Sequence, residues 1–411
     1  MMDIVIFGMN NFSRWFEKET FNRSAYILKN LLEDKRIGKV LYIDLLPCTK
    51  KQGIKSYIRN QIQAPQKKII YRDVFSICRQ IQSVSWQTEF LNISKGFFVY
   101  STIDSVFREE VMIKKINKIL KKLNFKNTIL WSCNPMFCEY FGKLGEDVSC
   151  FDTIDNWIEY PGYKNQKQRL EKNYKLIKEK ANIIFTVSTE LINLFFQNRK
   201  NVYCVSQGID LSRFQKELIC PEDMKQISHP IIGCVGVINN RLDFDLISKI
   251  IEKNNPSAGG LSFVFIGPIW QDKNLKSEIE KLSRFDNVHF LGSKHFEKVP
   301  AYINQFDVCF TFYKVNLSTK CGDSMKMYEY LALGKPIIAT NTGGVEKFSS
   351  LIEVVNTVEE FSNALKKCLK EKDENLKQKR IEEVKRHDWK NKVEEMLDKI
   401  ESYKSVSKIL K

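Results

Sequence analysis

Histidine is scarce in this chain. Its 411 residues hold four, His229, His289, His295 and His387, and none lies in the first 205. Any acid or base supplied by the first half must therefore be something other than imidazole. No run of about 18 apolar residues occurs, so no helix is expected to span a membrane. The opening residues MMDIVIFG have no basic stretch and no small-residue cleavage site, and they read as the start of a strand, not a signal peptide. Eleven cysteines are present without a CxxC pair. In a chain of this size that spacing implies reduced thiols in the cytoplasm and no structural zinc. The GxGxxG fingerprint is also missing, which leaves dinucleotide binding weakly supported. Repeats and low-complexity tracts are absent.

The length exceeds one typical core and suits two domains of roughly 200 residues. Positive charge is concentrated in the first of them. Residues 1–205 carry 33 lysines and arginines against 20 acids, while the whole chain has a net charge of +16. Such a surface suits an anionic partner, a membrane or a nucleic acid, although solvated lysines on ordinary surface faces would give the same count.

Short apolar runs alternate with helical spacing along both halves. DIVIFG (3–8), KVLYIDL (39–45), KNTILWSC (126–133), DVSCFD (147–152) and ANIIFTVS (181–188) read as buried strands. PIIGCVG (230–236), LSFVFIG (261–267), NVHFLG (287–292), FDVCFTFY (306–313), KPIIAT (335–340) and IEVV (352–355) repeat the style. Alternating strands and helices predict two α/β, Rossmann-like domains with parallel sheets and a cleft between them. The boundary is set in the polar segment after residue 205, giving domains 1–205 and 206–385. A final helical segment, 386–411, has an apolar stripe at Trp389, Val393 and Met396. Residues 47–110 carry little readable signal.

The segment SMKMYEYLALGKPIIAT (324–340) reads as a short helix, capped by Asp323 or Ser324 and ended by Gly334, then a buried strand. Lys326, Glu329 and Tyr330 share a helix face. A lysine in a first helical turn opposes the helix dipole, a local conflict of the kind found at functional sites. Free N–H groups and that lysine suit a diphosphate, and Glu329, one turn on, suits ribose hydroxyls. A solvated ion pair between Lys326 and Glu329 is the plain alternative. GCVGVINNRLD (233–243) places Gly236 where backbone can approach a phosphate and Arg241 where a bidentate donor would serve it.

Taken together and in order, GCVGVINNRLDFDLI, FVFIGPI, NVHFLGSKHFEKVPAYINQFDVCFTFY and SMKMYEYLALGKPIIAT resemble the C-terminal domain of GT-B glycosyltransferases. The resemblance is to bacterial enzymes of family 4 and to xanthan-type glucuronosyltransferases (family 70). It is good over 130–345 and loose over 1–45. It implies a GT-B fold whose last helices cross back to the first domain. It also implies a donor site in which Lys326 binds the diphosphate of a nucleotide-sugar, Glu329 its ribose, Gly236 and Arg241 its pyrophosphate, and Met325 lines the nucleotide pocket. No metal or other cofactor is required by this motif. SQGID (206–210) stands for the family's PNGVD, and FDTIDNW (151–157) for its YDxxDxW. The sequence departs from family 4 before the lysine helix, where Gly322 and Asp323 stand and no glutamate does.

Asp155 and Asp152 are the first domain's acid/base candidates, Asp155 first, because the strand ending at Asp152 opens toward the expected cleft. Either could instead hold the loop. VMIKKINKILKKLNFKN (111–127) carries an apolar stripe, Ile113, Ile116, Ile119, Leu120 and Leu123, ringed by lysines. It reads as a helix for an anionic membrane surface or as a core helix with solvated lysines. The leading expectation is a cytoplasmic, peripherally membrane-associated transferase. It would move a sugar from a UDP-type donor to a glycan or lipid-linked glycan in cell-surface polysaccharide synthesis. A UDP-sugar epimerase or phosphorylase on the same fold is a second reading, and a basic nucleic-acid-binding protein a third. Acceptor choice is expected in residues 9–23 and 47–110.

Overall fold

The computed structural model describes residues 1–9, 11–12, 22–44, 51, 53–55, 57–58, 68–86, 89–105, 107–254, 260–270 and 272–409. Parts of the two segments expected to choose the acceptor lie outside these residues. The chain divides into two units: Met1–Val205 with Trp389–Lys411, and Ser206–Asp388.

Among the described residues the first unit holds nine strands: β1 (Met2–Phe7), β2 (Ile37–Ile43), β3 (Lys68–Arg72), β4 (Ser76–Trp86), β5 (Glu89–Thr102), β6 (Ile129–Ser132), β7 (Val148–Thr153), β8 (Ile183–Thr186) and β9 (Val202–Cys204). Their order is β3-β4-β5-β2-β1-β6-β7-β8-β9. Pairing is parallel from β5 to β9 and antiparallel along β3, β4 and β5. β1 is buried at every position, as a strand covered on both faces must be. The helix Arg23–Glu33 is capped by Asn22, whose side chain accepts from the Ala25 N–H. In the helix Glu109–Lys122, Met112, Ile116, Ile119 and Leu120 are buried in the core, with Ile113 and Leu123 packed against it. Its apolar stripe therefore faces the sheet and is not available to a membrane. Lys115 pairs with Asp73 and Asp104 at 3.0 and 2.7 Å, while Lys114, Lys121 and Lys122 are exposed. The final helix, Trp389–Ile409, belongs to this unit, with Trp389 stacked on Tyr26 at 5.3 Å.

The second unit is a six-stranded sheet of β10 (Ile231–Val235), β11 (Ser262–Ile266), β12 (Val288–Phe290), β13 (Val308–Thr311), β14 (Ile337–Ala339) and β15 (Glu353–Val354). Its order is β12-β11-β10-β13-β14-β15 and every pairing is parallel. This is the doubly wound order with a reversal between β10 and β13. One apolar cluster, around Phe265, Phe310 and Phe361, packs on one side. Another, around Met327, Tyr330 and Leu331, packs on the other. Two Rossmann-like units of this kind are the GT-B architecture. No helix among the described residues is long and apolar enough to cross a membrane.

Candidate functional site

Open α/β sheets take ligands outside the carboxyl ends of their strands, at the point where strand order reverses. In the second unit that point lies between β10 and β13, and Lys326 occupies it. The helix Met325–Ala332 carries Lys326 in its first turn and ends on Gly334 (φ +64), with Gly334 N–H on the Leu331 carbonyl and Lys335 N–H on the Tyr330 carbonyl. That bond pair is the left-handed termination a glycine permits. Met327 and Leu331 bury the helix against the sheet. The Tyr330 hydroxyl accepts from the Val235 N–H at 2.9 Å, tying the helix to the end of β10. Lys326 is thereby drawn inward and is only 8 % exposed. Its Nζ lies 3.8 Å from Cys234 Sγ and 4.9 Å from the centre of the Tyr313 ring.

Gly236 makes room for that amine. Its φ is +113, and a Cβ there would stand 3.2 Å from both Cε and Nζ of Lys326. The backbone conformation strains any side chain at this position, and the lysine head would have to give way by a few tenths of an ångström. Among the described residues no carboxylate lies within ion-pairing distance of Lys326. Burial acts first to lower its pKa, Cys234, Tyr313 and Glu329 act to raise it, and the net direction is upward, so the amine keeps its proton. A buried ammonium with no paired anion is costly unless something supplies the anion.

The solvated Lys326–Glu329 pair does not form. Glu329 instead faces Arg213, Nη1 to Oε1 at 3.4 Å. Arg241 lies half-buried in the loop after β10. Its N–H donates to Asn239 Oδ1 at 3.0 Å, and its Nη2 reaches Ser318 Oγ at 3.5 Å. Its carbonyl accepts from the Lys314 N–H at 2.9 Å, which holds this loop to the exit of β13. Met325, half-buried, opens the helix.

The expected side-chain cap is a correction. Ser324 stands at the N-cap position, yet its side chain makes no capping bond. Asp323 turns away to a different task. Its Oδ2 accepts from the Gln207 N–H at 2.8 Å, the Tyr328 hydroxyl at 2.8 Å and Lys347 Nζ at 2.9 Å. The helix start is thus left without a side-chain acceptor on its first-turn N–H groups, which favours an external anion. Arg213, Cys234 and Tyr313 escaped the sequence reading, and Asp323 was read there only as a cap and a departure from the family pattern.

In the first unit the two candidate aspartates differ. Asp152, at the end of β7, is 1 % exposed and is held by Arg23, with Nε at 3.1 and 3.0 Å from its two oxygens and Nη2 at 3.0 Å. The Arg23 guanidinium lies 5.6 Å from the Trp389 ring centre. Asp155 is half-buried on the loop that follows. Its carbonyl accepts from Thr153 Oγ1 at 3.2 Å and from the Tyr174 hydroxyl at 3.3 Å, so the backbone under its carboxylate is fixed. A third carboxylate, Asp44, sits just past β2 and is 4 % exposed. It accepts from the Phe12 N–H at 2.7 Å and from Ser101 Oγ, which also accepts from Arg79. Burial raises its pKa to about 6, against the pull of Phe12 N–H, Ser101 and Arg79.

Residues 229–371 match the family described as "Glycosyl transferases group 1". With the two Rossmann-like units, this makes the protein a glycosyltransferase of the GT-B fold. Among curated proteins, it is 26 % identical over 320 residues to TuaH of Bacillus subtilis (strain 168), across 72 % of this chain and 78 % of that one. TuaH is provisionally named a teichuronic acid biosynthesis glycosyltransferase. Among solved structures, Anabaena HepE in complex with UDP and glucose aligns over 98 % of this chain and 100 % of its own, with a TM-score of 0.64 at 12 % identity. Sucrose-phosphate synthase from Thermosynechococcus elongatus aligns over 99 % and 100 %, with a TM-score of 0.65 at 12 % identity. The trehalose 6-phosphate synthase of Burkholderia multivorans aligns over 99 % of both chains, with a TM-score of 0.65 at 10 % identity.

Proposed function

We propose that the protein transfers a sugar from a UDP-sugar to a hydroxyl of a glycan or lipid-linked glycan. The observation that carries this reading is the buried, protonated Lys326, with no carboxylate partner among the described residues, set over Gly236 at the strand-order reversal. Lys326 meets the diphosphate, and the uncapped first turn of its helix adds N–H donors. Arg241 and the backbone at Gly236 hold the pyrophosphate from the β10 side. Glu329 accepts from the ribose, and Met325 lines the nucleotide pocket. As the glycosidic bond breaks, negative charge grows on the leaving diphosphate. Fixed donors aimed at that charge stabilise it more in the transition state than in the ground state.

Asp155 is the proposed base that takes the proton from the acceptor hydroxyl. Its fixed backbone and half-buried carboxylate, on the loop after β7, suit that role; Asp152, held by Arg23, is the second candidate. Proton removal by the acceptor domain agrees with an inverting transfer, the pattern also favoured by the missing glutamate before Asp323. The acceptor class is favoured by the likeness to TuaH, a protein named for teichuronic acid biosynthesis. UDP is favoured by the likeness to HepE, which was solved with UDP. The excess of 33 basic over 20 acidic residues in 1–205 supports action in the cytoplasm at an anionic membrane surface, through exposed lysines and not through the buried stripe of 111–123.

Thermal-shift measurements with UDP, GDP and their sugars test the donor reading. A ligand at about 100 times its Kd stabilises by about 2.7 kcal/mol. UDP and a UDP-sugar should raise the melting temperature, and GDP should raise it less. No shift with any nucleoside diphosphate would remove the proposal.

A further inference from the structure

Arg213 joins three segments that the chain keeps far apart. It lies in the turn Leu211–Phe214 and is 6 % exposed. Its guanidinium sits 4.5 Å from the Phe296 ring centre and 5.4 Å from that of Phe214. Nη2 donates to the Phe296 carbonyl, and Nη1 lies 3.4 Å from Glu329 Oε1. Phe296 opens the turn Phe296–Lys298, on the loop that leaves β12. Glu329 has no other hydrogen bond among the described residues, and its side chain is 18 % exposed. One of its oxygens thus faces Arg213 and the other is unengaged.

We infer that Arg213 is the positioning residue for the ribose of the donor, an inference that rests on Glu329 as the ribose acceptor. A vicinal diol offers two O–H donors, and only an ionised carboxylate held in one rotamer can accept both. Arg213 sets a fixed positive charge beside Glu329. Its plane, clamped by Phe296 and by the bond to the Phe296 carbonyl, fixes where Glu329 points. Lysine cannot replace it, because an ammonium has neither the planar stacking face nor the two-armed donor geometry.

The test measures calorimetric Kd values for UDP and for 2′,3′-dideoxyuridine diphosphate on the full chain, with Arg213→Met and Arg213→Lys beside the wild type. Wild type should prefer UDP by roughly 10- to 100-fold, the range for losing hydrogen bonds to a charged group. Both variants should lose most of that ratio through weaker UDP binding, with the dideoxy ligand nearly unchanged. A purely structural arginine would lower the melting temperature without moving that ratio. A folded variant of either kind that keeps the wild-type ratio overturns the assignment of Arg213. A wild type that does not distinguish the two ligands overturns instead the ribose role of Glu329. Should Arg213→Met not fold, Arg213→Lys decides by the same ratio.

Discussion

Replacing Asp44 by asparagine sets two physical effects against each other. Asp44 is buried beside the buried guanidinium of Arg79, with Ser101 between them. If attraction to Arg79 ruled, the carboxyl would ionise more readily than usual. If desolvation ruled, it would ionise less readily. Burial is the largest influence and its pKa rises from the ordinary 3.8 to about 6. A group whose pKa is higher folded than unfolded binds extra protons in the folded state between those values. Its contribution is therefore fully present below about pH 4 and lost as pH rises through about 6. The difference of about two units corresponds to roughly 3 kcal/mol, with burial complete enough that solvent screening does not reduce it much. Asparagine is isosteric with the protonated acid, can accept from the Phe12 N–H and can donate to Ser101. Asp44→Asn should thus match the wild type near pH 4 and exceed its stability by roughly 3 kcal/mol at pH 7. Denaturant unfolding of both proteins at pH 4.5, 5.5, 6.5 and 7.5, followed by tryptophan fluorescence, reads the gap. A gap that moves the other way, with the variant losing ground as pH rises, would mean that the Arg79 attraction wins and would refute the reasoning.

The two aspartates around β7 should separate cleanly. Asp155→Asn should cut turnover by roughly 10²–10⁴-fold with UDP affinity and unfolding midpoint unchanged, and near-normal turnover would remove it as the base. Asp152→Asn leaves Arg23 buried without its counter-charge and should cost roughly 3–5 kcal/mol of stability; a fully stable variant would contradict the ion pair's structural role. Gly236→Ala forces a side chain into a φ of +113 and against the Lys326 head group. Strain of that kind is of order 1–3 kcal/mol, so UDP affinity measured by calorimetry should fall at least several-fold, and an unaltered Kd would mean the amine does not need that space. Co-sedimentation should capture the protein on anionic vesicles and not on neutral ones, with capture weakened by salt; equal capture on both would reject electrostatic membrane contact.

Most strands legible in the sequence were those buried on both faces. β1, β2, β6, β7, β8, β10, β11, β13 and β14 are largely apolar runs, because parallel strands under two layers of helix leave little polar side; β12 and β15 were legible although they are only partly buried. β3, β4 and β5 were missed for the complementary reason. SICRQIQSVSW mixes arginine, glutamines and serines with its apolar residues, so a strand of that kind looks like loop until its antiparallel partner is known. β9 is three residues long and gives no period to read. The stripe of 111–123 was read correctly as amphipathic, but periodicity cannot say whether core or membrane covers it; the buried Met112 and Ile116 answer that. At the proposed donor site, sequence spacing placed Lys326, Glu329 and Tyr330 on one face. It could not predict that the helix would sink until Lys326 met Cys234 and Tyr313. Nor could it link Arg213 to Glu329, since the pairing spans 116 residues and depends on the fold alone.

The most direct measurement of the central claim is calorimetric titration of UDP into wild type and Lys326→Met. Methionine keeps most of the volume and removes a buried charge that has no carboxylate partner among the described residues. The variant should therefore unfold no earlier than the wild type, while its UDP affinity falls by roughly 10- to 100-fold for loss of a charge-assisted bond to the diphosphate. An equally stable variant that binds UDP as tightly as the wild type would contradict the account.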